Sequence, residues 1–358
     1  MEWVYTQPVK IVFGSGSFSG INDLLSEYNR PLIVCQPFFI ERGIAGDLRG
    51  DVFSQVSENP DVSEVNACSE IIRKNGNDVI IAVGGGSTID LAKAASVAVE
   101  DISEYHGTGK PLPKEHLPLI AVPTTSGTGS EVTCVSVLTD RRTGKKAPLL
   151  SESFYAETAV IDPLLTLTVP QRVTAATGMD VLCHAVEGYW SKGHQPVTDA
   201  LALHAASLVL EWLTKAFENG NNTQSREKMA EASVIAGLAF NIPKTTGVHA
   251  CSFPLTSIYG IPHGEACALT LDGFILINSD NTRTKEISRR LGFASPAEFA
   301  QKVVSLKREM NLLTNLKKFN LSQDDLTELV KKCRHPNMLN NPVDVTDDML
   351  YELFGNMI

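Results

Sequence analysis

The amino-acid sequence predicts an α/β N-terminal domain with a parallel sheet, followed by an all-α C-terminal domain. In the first half, short β-branched runs alternate with helical patterns, as in sheets whose parallel strands are joined by crossover helices. From Pro170 onward, long amphipathic patterns rich in Ala, Leu and Glu contain no convincing strand. The change falls near residues 162–170, so we predict domains of 1–165 and 166–358.

Each predicted element rests on its own pattern. The predicted strands are Val9–Phe13, Pro31–Val34, Asp78–Val83, Leu117–Val122 and Ala159–Ile161. The clearest predicted helices are Val62–Lys74, Thr88–Val99, Thr174–Trp190, Val197–Glu218, Ser225–Phe240 and Pro296–Glu309. Ser295 is the expected N-cap of the last helix, and Pro296 suits its first helical position.

Composition and charge limit the possible function classes. The 358 residues are enough for about two domains with real cores, and 43% hydrophobic and 20% charged residues are typical of globular proteins. The formal net charge of −10 disfavours nucleic acid or anionic membrane as the main partner. We see no N-terminal signal pattern and no apolar run near the ~20 residues that span a bilayer, so we expect a cytoplasmic protein.

The cysteines indicate neither a disulfide framework nor a zinc knuckle. There are seven, an odd number, and they are widely spread without a C-x-x-C pair. We expect most of them to be small buried hydrophobic residues.

A glycine run follows the buried-strand pattern of Asp78–Val83. Gly84, Gly85 and Gly86 lead through Ser87 into a helical pattern. Glycines remove the Cβ atoms that would block a ligand, and a helix N-terminus offers free N–H groups and a positive dipole end to a pyrophosphate. The alternative is a tight turn that needs positive φ, which one glycine would satisfy. The run is not G-x-G-x-x-G, so the glycines alone do not establish a dinucleotide site.

A second loop is rich in hydroxyl groups. The strand pattern Leu117–Val122 leads into P-T-T-S-G-T-G-S-E at 123–131. Because ligands of open α/β sheets bind at the carboxyl ends of the strands, we expect both loops to line one ligand site. The alternative is a solvated turn with Ser and Thr caps.

Four side chains form a candidate metal centre. Asp180 and His184 are four residues apart in a helical pattern, so about 40° separates them around the axis and they share one face. His249 and His263 bracket an apolar stretch, and His263 follows Pro262, where the chain must turn. A carboxylate with imidazoles suits iron(II) or zinc. The alternatives are a surface hydrogen bond for the first pair and satisfied core histidines for the second.

These motifs together resemble the iron-containing, or group III, alcohol dehydrogenase family. The match rests on G-G-G-S-x-x-D-x-A-K at 84–93, P-T-T-S-G-T-G-S-E at 123–131, A-T-G-M-D-x-x-x-H at 176–184 and H-x13-H-G at 249–264. Their order and spacing cover nearly the whole chain. The resemblance implies the dehydroquinate synthase-like fold of this family, with an N-terminal Rossmann-like domain that binds NADH or NADPH, a C-terminal helical domain and the metal in the cleft.

The resemblance also implies which residues bind. By motif position, Asp180, His184, His249 and His263 would bind Fe²⁺, with Zn²⁺ as the alternative. Lys93 is expected close to the cofactor ribose. The residues expected at the cofactor are Gln36, Gly84, Gly85, Gly86, Ser87, Asp90, Lys93, Thr124, Thr125, Thr128 and Ser130.

The implied reaction interconverts a small aldehyde and its primary alcohol. The metal would polarise the oxygen as a Lewis acid, and C4 of the reduced nicotinamide would deliver hydride. A general short-chain alcohol dehydrogenase is one alternative. A dehydroquinate synthase-like lyase on the same architecture is another, although its metal set differs. We expect a small-molecule substrate, no nucleic-acid or membrane partner, and a homodimer or larger homo-oligomer.

Three positions depart from the family pattern. Phe253 replaces a histidine that many members have four residues after the third ligand, so a proton relay is lost there. Gln36 replaces an acidic residue that would repel a 2′-phosphate, which favours NADPH, or both cofactors, and the reductive direction. Lys244 adds a cation before the His249 helix, where helix N–H groups could help to bind a dianion.

With Phe253, the Lys244 segment resembles the branch of the family that reduces phosphonoacetaldehyde to 2-hydroxyethylphosphonate. The alternative for Lys244 is an ordinary solvated lysine. We expect Lys244 and Phe253 to lie at the substrate.

Overall fold

Parallel strands dominate the N-terminal part of the computed structural model, which describes residues 2–358, and helices make up the C-terminal part. The strands are β1 (Lys10–Phe13), β2 (Pro31–Cys35), β3 (Asp51–Phe53), β4 (Val79–Gly84), β5 (Leu119–Pro123), β6 (Val135–Asp140), β7 (Lys145–Leu150) and β8 (Thr158–Ile161). The N-terminal helices are α1 (Ile21–Leu25), α2 (Pro37–Glu41), α3 (Val62–Asn75) and α4 (Gly86–Ser96). The C-terminal helices are α5 (Gln171–Trp190), α6 (Pro196–Glu218), α7 (Thr223–Phe240), α8 (Gly247–Tyr259), α9 (His263–Ile277), α10 (Thr282–Arg290), α11 (Pro296–Glu309), α12 (Gln323–Lys332) and α13 (Asp347–Gly355).

The chain divides into two units. One spans Thr6–Thr168, and the other comprises Val169–Ile358 with the N-terminal residues up to Tyr5. Gln195 of the helical unit donates a hydrogen bond to the Val4 carbonyl at 3.2 Å, which ties the N-terminal segment to that unit.

The first unit contains a six-stranded sheet in the order β1-β8-β5-β4-β2-β3, with all strand pairs parallel. The central strands β2, β4 and β5 are buried at every position, as expected of strands covered by helices on both faces. After β2 the chain continues to β3, and after β4 it continues to β5, so it leaves these two neighbouring strands in opposite directions along the sheet. In open α/β sheets, the crevice at such a point binds ligands.

All five predicted strands are confirmed, with ends that shift by at most two residues. The prediction missed three others. β3 has only three residues, two of them exposed, so it has almost no periodic signal. β6 and β7 form an antiparallel hairpin, and β6 alternates between buried and half-buried residues.

The second unit is all-helical in the described residues, which confirms the predicted fold class. Ser295 caps α11 through a hydrogen bond from the Glu298 N–H, as predicted, and Pro296 opens the helix. α5 lies at the centre of the core and is almost continuously buried from Thr174 to Trp190.

One helix, α6, is long and apolar enough to cross a membrane by length and composition alone. The sequence analysis predicted this helix but found no apolar run long enough to span a bilayer. Ala202, Ala205, Val209 and Leu213 bury one of its faces in the helical core. A core helix passes the same test of length and composition, so α6 is weak support for a membrane span.

Close packing of α5 and α9 requires a glycine. A Cβ atom on Gly264 would lie 2.1 Å from the Ala176 carbonyl oxygen and 3.0 Å from the Asp180 Cβ. Gly264 follows His263 directly, so this contact positions the start of α9 beside the face of α5 that carries Asp180.

We expect Gly264→Ala to lower the free energy of unfolding by on the order of 1–3 kcal/mol, because backbone on both helices must shift. Urea unfolding followed by circular dichroism would measure it. Gly355→Ala is the control, since a Cβ there has no atom within 4 Å. Equal stability of the two variants would contradict the packing argument.

Candidate metal centre and cofactor loops

One face of α5 carries three buried charged or polar side chains. Asp180, His184 and Glu187 are spaced i, i+4 and i+7, so they lie along the same side of the helix. Their exposed fractions are 2%, 5% and 0%. The sequence analysis found the first two and missed Glu187, although its spacing from His184 could have revealed it.

Glu187 joins α5 to the start of α8. Its Oε1 accepts hydrogen bonds from the Thr246 N–H and the Thr246 hydroxyl, both at 2.7 Å, and from the His249 N–H at 3.3 Å. Its Oε2 accepts from His249 Nδ1. Burial alone would raise the pKa of Glu187, but His249 and Thr246 hold it below its usual range.

The Glu187 contact sets the tautomer of His249. Since Nδ1 donates to the carboxylate, the lone pair of a neutral His249 ring is on Nε2. Nε2 lies 3.0 Å from the His184 Nε2 and 3.5 Å from the Asp180 Oδ1. His263 Nε2 lies 3.9 Å from the same carboxylate oxygen. Three helices thus bring the four predicted ligands together.

The chemistry of this group fits a divalent cation. Asp180 Oδ1 is buried and accepts no hydrogen bond from any described residue. Burial would raise the pKa of Asp180, but His184 and His263 hold it far below its ordinary value, so it is a carboxylate. A buried anionic oxygen facing imidazole nitrogens is the donor set of iron(II) and zinc sites.

A cysteine belongs to the same cluster. Four residues each place one donor atom within 4.8 Å of the other three: Asp180, His249, His263 and Cys267. His184 contacts this group through His249, and its ring stacks on Phe240 at a centroid distance of 4.0 Å. The sequence analysis treated the cysteines together as buried hydrophobic residues and did not place Cys267 here.

Aromatic rings adjoin the cluster on one side. The half-buried Phe253 lies one turn after His249 on α8, with its ring centroid 6.5 Å from that of His263. The Phe253 ring centroid is also 4.6 Å from that of His335, a residue that the sequence analysis did not single out. His335 Nδ1 accepts from the Asn337 N–H at 3.2 Å, so the proton of a neutral ring is on Nε2.

Lys244 is held in an unusual conformation just before α8. Its φ is +66°, and its ammonium group donates to the Asn241 carbonyl at 2.5 Å. At the start of α8, the N–H groups of Thr246 and His249 donate to Glu187, so these two groups are not available to an anion beside Lys244.

In the first unit, the glycine run packs two loops together. Cβ atoms on Gly84, Gly85 and Gly86 would lie 2.2, 3.1 and 2.6 Å from the side chains of Thr88, Thr125 and Thr128 respectively. None of these glycines has positive φ, so the tight-turn alternative is wrong. Side chains of the loop after β5 lie directly on Gly85 and Gly86, and Thr88 of α4 lies on Gly84, so a Cβ at any of the three would push a neighbour aside.

No side chain caps the start of α4, so the N–H groups of its first turn can bind an anion. Gly85 is the N-cap. Gly85, Gly86, Ser87, Thr125 and Thr128 are all half-buried around it, whereas Gly84 and Thr124 are buried. Thr124 donates its N–H to the Gly84 carbonyl at 3.0 Å, which joins the two predicted cofactor loops.

Three of the predicted cofactor residues instead bond to one another. The Lys93 ammonium, fully buried, donates to Ser130 Oγ at 3.0 Å, to Thr133 Oγ1 at 3.1 Å and to the Val135 carbonyl at 2.9 Å. Ser130 Oγ in turn donates to Asp90 at 2.5 Å. These contacts join α4 to the hairpin strand β6, and they do not bring Lys93 to a surface where a ribose could bind.

Gln36 lies where the sequence analysis placed it, at the carboxyl end of β2. Its amide donates to the Val56 carbonyl at 3.4 Å. β2 is the direct neighbour of β4, so Gln36 and the glycine run occupy the same edge of the sheet.

Comparison with known proteins identifies the family. Residues 8–163 match the iron-containing alcohol dehydrogenase family, and residues 174–358 match the C-terminal part of the Fe-containing alcohol dehydrogenase family. The chain belongs to the iron-containing alcohol dehydrogenase family. The predicted resemblance is confirmed, and the chain is an alcohol dehydrogenase or aldehyde reductase of the iron-containing type.

Individual relatives in this family match the whole chain. The crystal structure of sulfoacetaldehyde reductase from Bifidobacterium kashiwanohense in complex with NAD⁺ has a TM-score of 0.96 and 50% identity, covering 100% of this chain and 99% of that one. Sulfoacetaldehyde reductase of Bilophila wadsworthia is 32% identical, over 99% of this chain and 98% of its own. Alcohol dehydrogenase 4 of Saccharomyces cerevisiae is 30% identical, over 97% and 96%.

We expect Glu187→Gln to lower metal affinity about 10–100-fold, the usual effect of losing a carboxylate behind a histidine ligand. An amide NH₂ facing Nδ1 would move the ring proton to Nε2 and remove the lone pair that faces the cluster. Competition with a chelator, using zinc and then iron(II) under anaerobic conditions, would measure the affinity.

The control for this variant is Glu286→Gln, which changes a carboxylate that pairs with Arg283 and Arg290 on α10. Its metal affinity should match that of the unmodified protein. Unchanged affinity in the Glu187 variant would show that the carboxylate has only a structural role.

Proposed function

We propose that this enzyme reduces sulfoacetaldehyde, a two-carbon aldehyde with a sulfonate group, to the corresponding alcohol. The observation that supports this is the 50% identity, over the entire chain, to a sulfoacetaldehyde reductase. The reaction consumes one reduced nicotinamide and one proton and yields the alcohol and the oxidised cofactor.

We propose that Asp180, His184, His249 and His263 hold the divalent ion. When bound, the ion would supply Lewis-acid polarisation of the aldehyde oxygen, and the reduced nicotinamide would supply the hydride. Asp180 contributes a negative charge that offsets part of the charge of the ion. Glu187 keeps the His249 proton on Nδ1, so that Nε2 can coordinate.

The aromatic side chains beside the cluster would exclude water from the reacting carbon. Phe240 covers one face of His184, and Phe253 adjoins both His263 and His335. Phe253 cannot transfer a proton. We therefore assign it a role in shaping the pocket, and the proton that completes the alcohol must come from another group.

The anionic end of the substrate requires a donor. We propose Lys244, with the neighbouring Thr245 and His335, because these residues precede α8 or adjoin Phe253. Asn337 donates to Thr245 Oγ1 at 2.7 Å, which joins the Lys244 segment to the turn that carries His335.

Phosphonoacetaldehyde is a second candidate, supported by the same cation. A phosphonate and a sulfonate are both tetrahedral, but near neutral pH a phosphonate has up to two charges and a sulfonate one. A single lysine therefore suits the sulfonate better, provided that no further cation reaches the pocket.

A substrate panel tests the proposal. Oxidation of NADH should be fastest, in kcat/KM, with sulfoacetaldehyde, then phosphonoacetaldehyde, and slowest with propanal. Lys244→Ala should raise KM for both anionic aldehydes by roughly tenfold or more, as expected for loss of an ion pair worth about 1.4 kcal/mol, and leave KM for propanal unchanged.

Lys215→Ala is the control for Lys244, since Lys215 lies on α6 beside Glu211 and Trp212. A preference for propanal would indicate a general short-chain alcohol dehydrogenase. Equal effects of Lys244→Ala on charged and neutral aldehydes would exclude Lys244 as the anion donor.

Cofactor choice gives a separate prediction. We propose that the enzyme uses NADH, because the Bifidobacterium relative binds NAD⁺, and that it also accepts NADPH, because Gln36 is neutral. Gln36→Asp should reduce kcat/KM for NADPH by on the order of tenfold and change that for NADH little, since a carboxylate repels a 2′-phosphate. An unchanged ratio would remove Gln36 from cofactor selection.

A further inference from the structure

We propose that Asn340 is a positioning residue for the anionic end of the substrate, because its side chain holds Lys244 in the conformation that places the ammonium group. This inference rests on the proposed function, in which Lys244 binds the sulfonate. It gives a role to the turn Pro336–Asn340, which the sequence analysis did not single out.

The Asn340 amide spans the backbone on both sides of Lys244. Its Nδ2 donates to the Pro243 carbonyl at 2.7 Å and to the Thr245 carbonyl at 3.1 Å. These carbonyls belong to the residues directly before and after Lys244. The chain must fold back at Lys244 for both carbonyls to face one amide group, so the two hydrogen bonds favour the turned conformation.

Lys244 needs such support. Its φ of +66° is in the left-handed region, where the Cβ of an L-residue lies too close to a carbonyl oxygen. The Lys244 N–H donates to the Phe240 carbonyl at 2.7 Å. In this conformation the side chain turns back to the end of α7, where the ammonium group donates to the Asn241 carbonyl.

Asn340 is itself held by the helical unit. Its carbonyl accepts from the Lys192 N–H at 3.0 Å, just after the end of α5. The next residue, Asn341, is fully buried and exchanges two amide hydrogen bonds with Asn278, at 3.2 and 2.8 Å. The turn that carries Asn340 is therefore anchored independently of Lys244.

The chemistry of the Asn340 amide separates positioning from direct binding. Its NH₂ group already donates to two backbone carbonyls, and its remaining oxygen cannot donate to an anion. A lysine side chain held in place loses less conformational freedom when an anion binds than a mobile one does. Loss of Asn340 should therefore weaken only those substrates that use Lys244.

Inhibition by ethanesulfonate tests this role, because this compound has the sulfonate group but no aldehyde. The inhibition constant is measured against propanal reduction by the full-length enzyme loaded with iron(II). We expect Asn340→Ala to raise this constant roughly three- to tenfold, the range for losing a hydrogen bond or two, and to leave KM for propanal unchanged. In a Lys244→Ala background the same substitution should change it less than about twofold, because residues that act through one another are not additive.

Two further variants keep the test interpretable. Asn340→Leu has nearly the same shape without the amide, and it replaces the alanine variant if circular dichroism shows that Asn340→Ala is misfolded. Asn315→Ala is the matched control, since Asn315 is another half-buried asparagine of the helical unit and accepts from the Lys317 N–H. The inhibition constant of this control should equal that of the unmodified enzyme.

The outcomes separate this inference from the proposed function. A rise with Lys244→Ala but not with the Asn340 variants would overturn the positioning role and leave Lys244 as the anion donor. Equal effects of Asn340→Ala with and without Lys244 would also overturn it. An unchanged inhibition constant in Lys244→Ala itself would refute the proposed anion donor, and this inference with it.

Discussion

The candidate metal centre depends on the hydrogen bonds that the Glu187 carboxylate accepts from the start of α8. This carboxylate accepts from the N–H groups of Thr246 and His249 and so caps α8 from a different helix. The same carboxylate accepts from His249 Nδ1. One buried group thus determines where α8 begins, which way the His249 ring faces and which ring nitrogen has the lone pair. A glutamine at this position could accept only some of these hydrogen bonds, because its amide has one acceptor oxygen and one NH₂ donor group.

The two buried carboxylates of Glu187 and Asp180 explain why the cluster suits a cation. Glu187 and Asp180 put two carboxylates on one face of a buried helix, where uncompensated charge is costly. Four hydrogen bonds satisfy Glu187, but Asp180 Oδ1 accepts none from the described residues. The remaining negative charge therefore lies where His184, His249 and His263 present nitrogen atoms, and a divalent ion would balance it.

The sequence predicted the elements with strong local signals and missed those defined by partners distant in the chain. Parallel strands and long helices have clear periodicity, and the i, i+4 spacing of Asp180 and His184 predicted a shared face correctly. The positions of Glu187 and Cys267 in the cluster depend on how α5, α8 and α9 pack, which no local pattern specifies. The prediction for Lys93 has the same weakness, because its ammonium group bonds to Ser130 and Thr133 and to the Val135 carbonyl of β6, a strand that the sequence analysis missed.

The two helix starts considered as anion sites differ in what already occupies them. No side chain caps α4, and half-buried hydroxyl groups surround it, which suits a pyrophosphate. At the start of α8, the N–H groups of Thr246 and His249 already donate to the buried Glu187 carboxylate. Lys244 has a left-handed conformation that costs a non-glycine residue about 1–2 kcal/mol, and glycine there would avoid this cost. The Lys244 ammonium group donates to the Asn241 carbonyl, a contact that glycine could not make.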